Sequence, residues 1–252
     1  MKQASCSWNI RFDDIIKSYD FIKNEDDSCV YKKISGSAVT FIVLYVDDIL
    51  LIRNDVDMLS VVKTWLSKNL SMKDLGEAFY VLGIKIYRDR SHRILGLTQS
   101  LYIDSIIKRF KIKFFKRGLI PIRHEITLSK EQSLKTPEER AHMDRVPYAS
   151  AIGSIMYAML YTRLGVAYAL SVTSRFQANP GEPHWVAVKV ILKYLRRTKE
   201  LFLIHGGDDL KVRGYTNSSF QSDPDDSKSN LGYLFTLNGG PSVGRVLNKK
   251  LQ

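Results

Sequence analysis

Cysteine is nearly absent from this chain of 252 residues: Cys6 and Cys29 are the two. They offer neither the ligand spacing of a zinc site nor a disulfide framework. Such usage fits a reducing compartment, which means an intracellular setting, cytoplasmic or nuclear. A secretory leader is not visible either, since Met1-Lys2-Gln3-Ala4-Ser5 runs into polar sequence. Long uncharged apolar runs are also missing. The nearest is Tyr148 to Val172, and Arg163 sits near its middle. A charge at mid-bilayer is costly, so no membrane span is expected. Acids are in deficit: 26 Asp and Glu face 38 Lys and Arg, a formal net charge of +12. That excess points to a polyanionic partner, nucleic acid before an anionic membrane, although solubility alone would also account for it. The length is ample for one or two cored domains.

Against that background one stretch stands out, Phe41-Ile42-Val43-Leu44-Tyr45-Val46-Asp47-Asp48-Ile49-Leu50-Leu51-Ile52. Strand-favouring residues run up to two adjacent carboxylates, and apolar residues follow, which predicts a buried hairpin reversing at the acids. The usual hairpin dipeptides are Asn-Gly and Asp-Gly, so Asp-Asp serves folding poorly. Two close carboxylates repel each other, and a divalent cation such as Mg²⁺ removes that cost. A solvated turn on an ordinary surface hairpin would carry the same residues.

Helical spacing of Trp8, Ile10, Phe12, Ile15, Ile16, Tyr19 and Phe21 predicts a first amphipathic helix with Asp13 and Asp14 on its solvated side. Asp55 to Leu70 reads as a second helix, with Met58, Val61, Val62, Trp65 and Leu66 on one face. Phe79 to Ile86 reads as a strand holding Gly83, a bulge or a close approach. Arg93 to Thr98 is its return strand, and Gln99 to Phe110 a helix with Leu101, Tyr102, Ile106 and Phe110 inward. The most basic window follows: Lys108, Arg109, Lys111, Lys113, Lys116, Arg117 and Arg123, with no acid between Asp104 and Glu125 and with Phe110, Phe114 and Phe115 interleaved. Cations of this density suit phosphate binding, and a solvated helix and loop is the plainer alternative.

Thr136-Pro137-Glu138-Glu139 has the form of a capping box. A further helix runs from His184 to Lys199, with Lys189, Lys193, Arg196 and Arg197 striped along one side; a solvated face is the simpler reading, a nucleic-acid track the other. His184 lacks metal spacing and reads as structural. From Leu201 the pattern turns to strands, and Pro224 places Asp223, Asp225 and Asp226 in a solvated loop. The whole predicts an α+β chain.

Tyr45-Val46-Asp47-Asp48 between apolar strands resembles the polymerase signature of reverse transcriptases. With Asp74-Leu75-Gly76, Leu82-Gly83-Ile84, Gln99-Ser100-Leu101-Tyr102, Thr162-Arg163 and Gly214-Tyr215-Thr216, the chain resembles the copia-type retrotransposon Pol polyprotein in particular, over most of Met1 to Gly240. The resemblance implies a partial palm over residues 1–98, a helical thumb and connection over 99–200, and a truncated ribonuclease H-like β-meander over 201–252. It implies Asp47 and Asp48 as catalytic, metal-holding residues for Mg²⁺ or Mn²⁺. It implies Leu82, Gly83 and Ile84 as a primer grip, and Gln3 and Tyr45 as remnants of a nucleotide pocket. The partners implied are RNA–DNA or DNA duplex and deoxynucleotides.

Several positions depart from the family. Cys6 stands where Arg is usual, Leu164 and Gly165 replace a Pro-Asp pair, and the tail from Pro241 loses a Val-Ser-Trp-Lys pattern. Asn217 replaces a ribonuclease H metal-binding Asp. A third palm carboxylate is expected upstream of Lys2-Gln3-Ala4, and the remaining nuclease acids beyond Gln252. The expected function is therefore a reverse transcriptase fragment, catalytically incomplete alone, with a second chain as one source of the missing palm half. The alternative is an inactive remnant that binds nucleic acid.

Overall fold

A computed structural model of the chain describes residues 2–54, 58–112, 118–123, 126–207, 211–219 and 223–249. The chain divides into two compact units, Met1–Ala78 and Phe79–Gln252. Seven α-helices and three antiparallel sheets among the described residues make it a mixed α and β protein, the class the sequence predicts.

In the first unit, α1 (Lys2–Ser18) buries Phe12 and Ile16, one turn apart. Left-handed Asp20, φ 62°, stops the chain from continuing the helix. β1 (Ile22–Lys23), β2 (Val30–Ser35), β3 (Ala38–Tyr45) and β4 (Asp48–Arg53) then pair in sequence order. Alternation along the strands sends Tyr31, Ile42 and Leu44 to one face, against Phe12, Ile16 and the Val62 and Leu66 of α2 (Leu59–Asn69). Each such side chain contributes roughly 1.5–3 kcal/mol on burial, so this cluster holds the sheet to its helices. Met58 and Val61, expected on the same inward face, are exposed. Asp13 is also not on a solvated side. It accepts a hydrogen bond from the Tyr31 hydroxyl at 2.7 Å and pairs with Lys17 and Lys23. Burial pushes its carboxyl up, but these three donors outweigh that and hold it down at about 2.

The second unit is built on α3 (Ser100–Arg109), α5 (Tyr148–Tyr161), α6 (Ala167–Ser174) and α7 (Glu182–Thr198). Ile103, Ile106, Ile152, Ile155, Val188, Ile191, Leu192 and Leu195 form its core. Leu101, expected inward, is exposed because Ile103 and Ile107 take the buried face of α3. The short α4 (Pro137–Met143) carries the expected reciprocal cap between Thr136 and Glu139.

The apolar run around Arg163 is two helices with a bend between them, not a span. No described helix is long and apolar enough to cross a membrane. Arg163 is buried and donates to the carbonyls of Thr198 at 2.9 Å, Lys199 at 3.2 Å and Leu201 at 3.0 Å. A cation at a helix C-terminus satisfies carbonyls that have no partner within the helix, and this one ties α7 to the bend. Burial lowers the guanidinium pKa from its usual value. Beside it Thr162 donates to the Gln99 side chain at 2.6 Å.

β5 (Tyr80–Val81), β6 (Ile84–Asp89), β7 (Ile94–Thr98) and β8 (Leu203–Gly206) form one sheet in that order. β9 (Val212–Ser219), β10 (Ser229–Leu237) and β11 (Gly240–Lys249) form another, with β10 central. The stretch Phe79–Ile86, expected as one strand with a bulge, is a hairpin: Val81 pairs with Ile84 around Leu82 and Gly83. Both turn residues have positive φ, 53° and 73°, the pattern of a type I′ turn.

Candidate active site and nucleic-acid surface

Tyr45 pairs with Asp48, so the two-residue turn of the β3–β4 hairpin is Val46-Asp47 rather than the acid pair expected from sequence. Asp48 opens β4. Val46 has φ 51°. A positive φ at the first central position marks a type II′ turn, where glycine is preferred. The neighbouring β2–β3 turn in the same sheet meets that demand with Gly36, φ 60°. A β-branched residue in this region is a conformational outlier costing about 1–3 kcal/mol. Folding alone would choose otherwise, which makes the turn a functional candidate.

Tyr45, Val46, Asp47 and Asp48 are all exposed, so the two carboxylates stand at the tip of a rigid hairpin. No group of three or more His, Cys, Asp or Glu side chains converges as a metal site among the described residues. Two cavities, of about 460 and 390 Å³, are lined by other residues, Lys211, Arg213 and Tyr215 in the first and Glu138, Glu139 and His142 in the second. Two adjacent hard oxygen donors suit Mg²⁺, which keeps most of its waters and takes few protein carboxylates. They fit a cation of that kind and fall short of holding two.

Gln3 lies in α1, and its side chain is outside the described residues. Leu82 and Gly83 form the β5–β6 turn of the second unit and Ile84 opens β6, with Ile84 buried and Gly83 exposed. Lys108 and Arg109 end α3, and with Lys111 and Arg123 they are exposed. Lys113, Lys116 and Arg117, together with Phe114 and Phe115, lie outside the described residues. Phe110 is buried in the helical core and is not a base-stacking platform.

Asn217 sits exposed in β9, opposite Gly232 of β10. Asp223, expected to be solvated, is buried and ion-paired with Arg175 at the end of α6. Asp225 accepts the backbone N–H of Lys130 at 2.8 Å. Both acids anchor the β9–β10 loop, which removes them as metal ligands. Sequence reasoning missed this because Arg175 and Asp223 are far apart in the chain. His184 is structural as read: it is fully buried, stacks on Phe176 and accepts the Gly181 N–H at 2.9 Å.

The first unit thus displays its paired acids on a hairpin of an antiparallel sheet backed by helices. The class of protein follows from comparison with known proteins. Residues 1–124 match the reverse transcriptase (RNA-dependent DNA polymerase) family. The chain is 44% identical over 241 residues to the retrovirus-related Pol polyprotein from transposon TNT 1-94 of Nicotiana tabacum, covering 95% of this chain and 18% of that protein. It is 30% identical over 243 residues to the corresponding polyprotein from transposon RE1 of Arabidopsis thaliana, covering 96% of this chain and 16% of the relative. A putative transposon Ty5-1 protein of Saccharomyces cerevisiae is 28% identical, with 96% of this chain and 76% of the yeast protein covered. No solved structure matches. The chain belongs to the reverse transcriptase region of copia-type retrotransposon Pol polyproteins. It spans less than a fifth of the length of the two plant polyproteins.

Proposed function

We propose that the chain carries part of an RNA-directed DNA polymerase site, with Asp47 and Asp48 as its metal-holding carboxylates. The carrying observation is the strained Val46 turn, which displays both acids where folding would prefer glycine. Asp47 and Asp48 would hold Mg²⁺ or Mn²⁺. Bound there, such a cation supplies charge neutralisation at the phosphate under attack by a primer 3′-hydroxyl. Tyr45, exposed beside the acids, would face an incoming deoxynucleotide together with Gln3. Leu82, Gly83 and Ile84 would hold the primer end, and the cations from Lys108 to Arg123 the phosphate backbone of an RNA–DNA or DNA duplex. In this reading residues 1–98 are partial palm, 99–200 thumb and connection, and 201–252 a ribonuclease H-like segment. Asn217 there offers a neutral amide, a poorer ligand for a divalent cation than a carboxylate.

In-line nucleotidyl transfer uses two metal ions and more carboxylate ligands than this pair. Among the described residues no third acid joins the pair, and in this reading the chain is catalytically incomplete by itself. A primer-extension assay on the purified chain, with Mg²⁺ or Mn²⁺, is expected to give no synthesis. Robust synthesis lost in Asp47→Asn would overturn the incompleteness while keeping the site. Manganese binding measured by electron paramagnetic resonance is expected to be weak and to disappear in the Asp47→Asn, Asp48→Asn double variant. Unchanged binding there would remove the two acids from the site.

A further inference from the structure

The sequence holds two long acid-free segments, 105–124 and 183–199, separated in the chain by residues 125–182. Each carries a basic run, and each taken alone reads as a solvated face. The fold brings them together. The N–H of Gly118 donates to the Lys193 carbonyl in α7 at 3.2 Å. The Arg196 guanidinium reaches the Ile112 carbonyl, the residue after Lys111, at 3.5 Å. Beneath them α3 and α7 share one apolar core through Ile103, Ile107, Ile191 and Leu195. The described cations of both runs are thereby carried on one packed body. Lys108, Arg109, Lys111 and Arg197 are exposed, while Lys193 and Arg196 are half-buried.

The acids that border α7 are engaged at its two ends. Glu182 pairs with Lys189 at 3.1 Å, and Asp104 and Glu200 pair with Lys199 at 2.9 and 3.2 Å. Residues 183–199 hold no Asp or Glu in sequence.

We propose that the C-terminal turn of α3 with Lys111, and the Lys193–Arg197 turn of α7, form a single track for the phosphate backbone of a nucleic-acid duplex. This rests on the reading above that Lys108 to Arg123 bind nucleic acid, and it adds α7 to that surface. A rigid two-element track fixes several cations relative to each other, so a duplex is held in orientation as well as attracted. Phosphate contacts carry no sequence information, and binding here is sequence-independent.

The test is the salt dependence of the full chain's affinity for a DNA duplex, read by fluorescence anisotropy. Three variants are compared: Lys193→Ala with Arg197→Ala, Lys108→Ala with Arg109→Ala, and all four together. Each pair is expected to lower the log–log salt slope by about 2, and the four together by about 4. The advantage of wild type over either pair should then shrink about tenfold between about 50 and about 200 mM salt. Lys193→Arg with Arg197→Lys should keep the slope, which separates charge from helix packing.

If the α3 pair lowers the slope and the α7 pair does not, the track fails and the underlying reading stands. If neither pair does, both fail. Equal sensitivity of binding to phosphatidylserine vesicles, with no duplex binding, would also overturn the proposal.

Discussion

The phenolic hydroxyl of Tyr157 in α5 donates to the main-chain carbonyl of Leu82 at 2.6 Å. The acceptor lies in a turn whose two residues, Leu82 and Gly83, both take left-handed backbone. Leu in that region is disfavoured by about 1–2 kcal/mol, so an outside contact has something to offset. The Tyr157 ring is itself fixed against Tyr102 and Tyr161, with centroids 4.7 and 4.9 Å away. The Leu82–Gly83 turn is thus pinned to the helical body by this hydrogen bond.

Tyr157→Phe keeps the ring packing and removes that bond. The expected loss of stability is about 0.5–1.5 kcal/mol, read from urea denaturation. Amide exchange at Gly83 and Ile84 should quicken while the interior of α5 keeps its protection. Unchanged exchange at the turn would show that the bond does not hold it.

Val46 gives a prediction of opposite sign. Val46→Gly relieves a left-handed cost of about 1–2 kcal/mol and adds a backbone-entropy cost of about 0.5–1 kcal/mol. Stability of the first unit should therefore rise by about 0.5–1 kcal/mol, measured as a later urea midpoint for a probe in residues 1–78. A lower midpoint would mean that the exposed Val46 side chain contributes to folding after all.

His184 sets a pH dependence. Burial lowers its pKa from the usual value, opposed by its hydrogen bond to the Ser129 carbonyl and by the charge of Asp225. With Nδ1 accepting the Gly181 N–H at 2.9 Å, the ring is neutral and Nε2 donates to Ser129 at 3.1 Å. A proton on Nδ1 breaks the first of these bonds. In the unfolded chain His184 titrates near 6.5. The unfolded state then binds more protons as pH falls below that value, so this contribution is complete above pH ~6.5 and declines as pH drops toward the folded pKa. The second unit should melt at a lower temperature at pH ~5 than at pH ~7.5. His184→Gln should flatten the difference; an equal slope in the variant would assign it to other groups.

Much of the architecture was legible in local sequence. The strand pair around Tyr45 to Ile49, the capped α4 and the long α7 follow from alternation, capping chemistry and helical spacing, which are properties of neighbours in the chain. Turn detail was less legible. By residue type the acid pair reads as the reversal, but strand register shifts the turn by one residue onto Val46, because pairing is decided by which face of each strand is buried. Leu82 and Gly83 read as strand for a similar reason: Leu carries no turn signal, and its left-handed backbone is offset by Tyr157, distant in sequence.

The sequence by itself determined the family, the paired acids and the positive charge, since those are written in residue identity and order. Only the tertiary structure decided which charges act together. It buried Asp223 against Arg175, took Asp13 into a hydrogen-bonded cluster, and set the Lys193–Arg197 turn beside Lys111. Charges interact through space over a few ångströms, and that distance is fixed by packing between elements that the linear order keeps far apart.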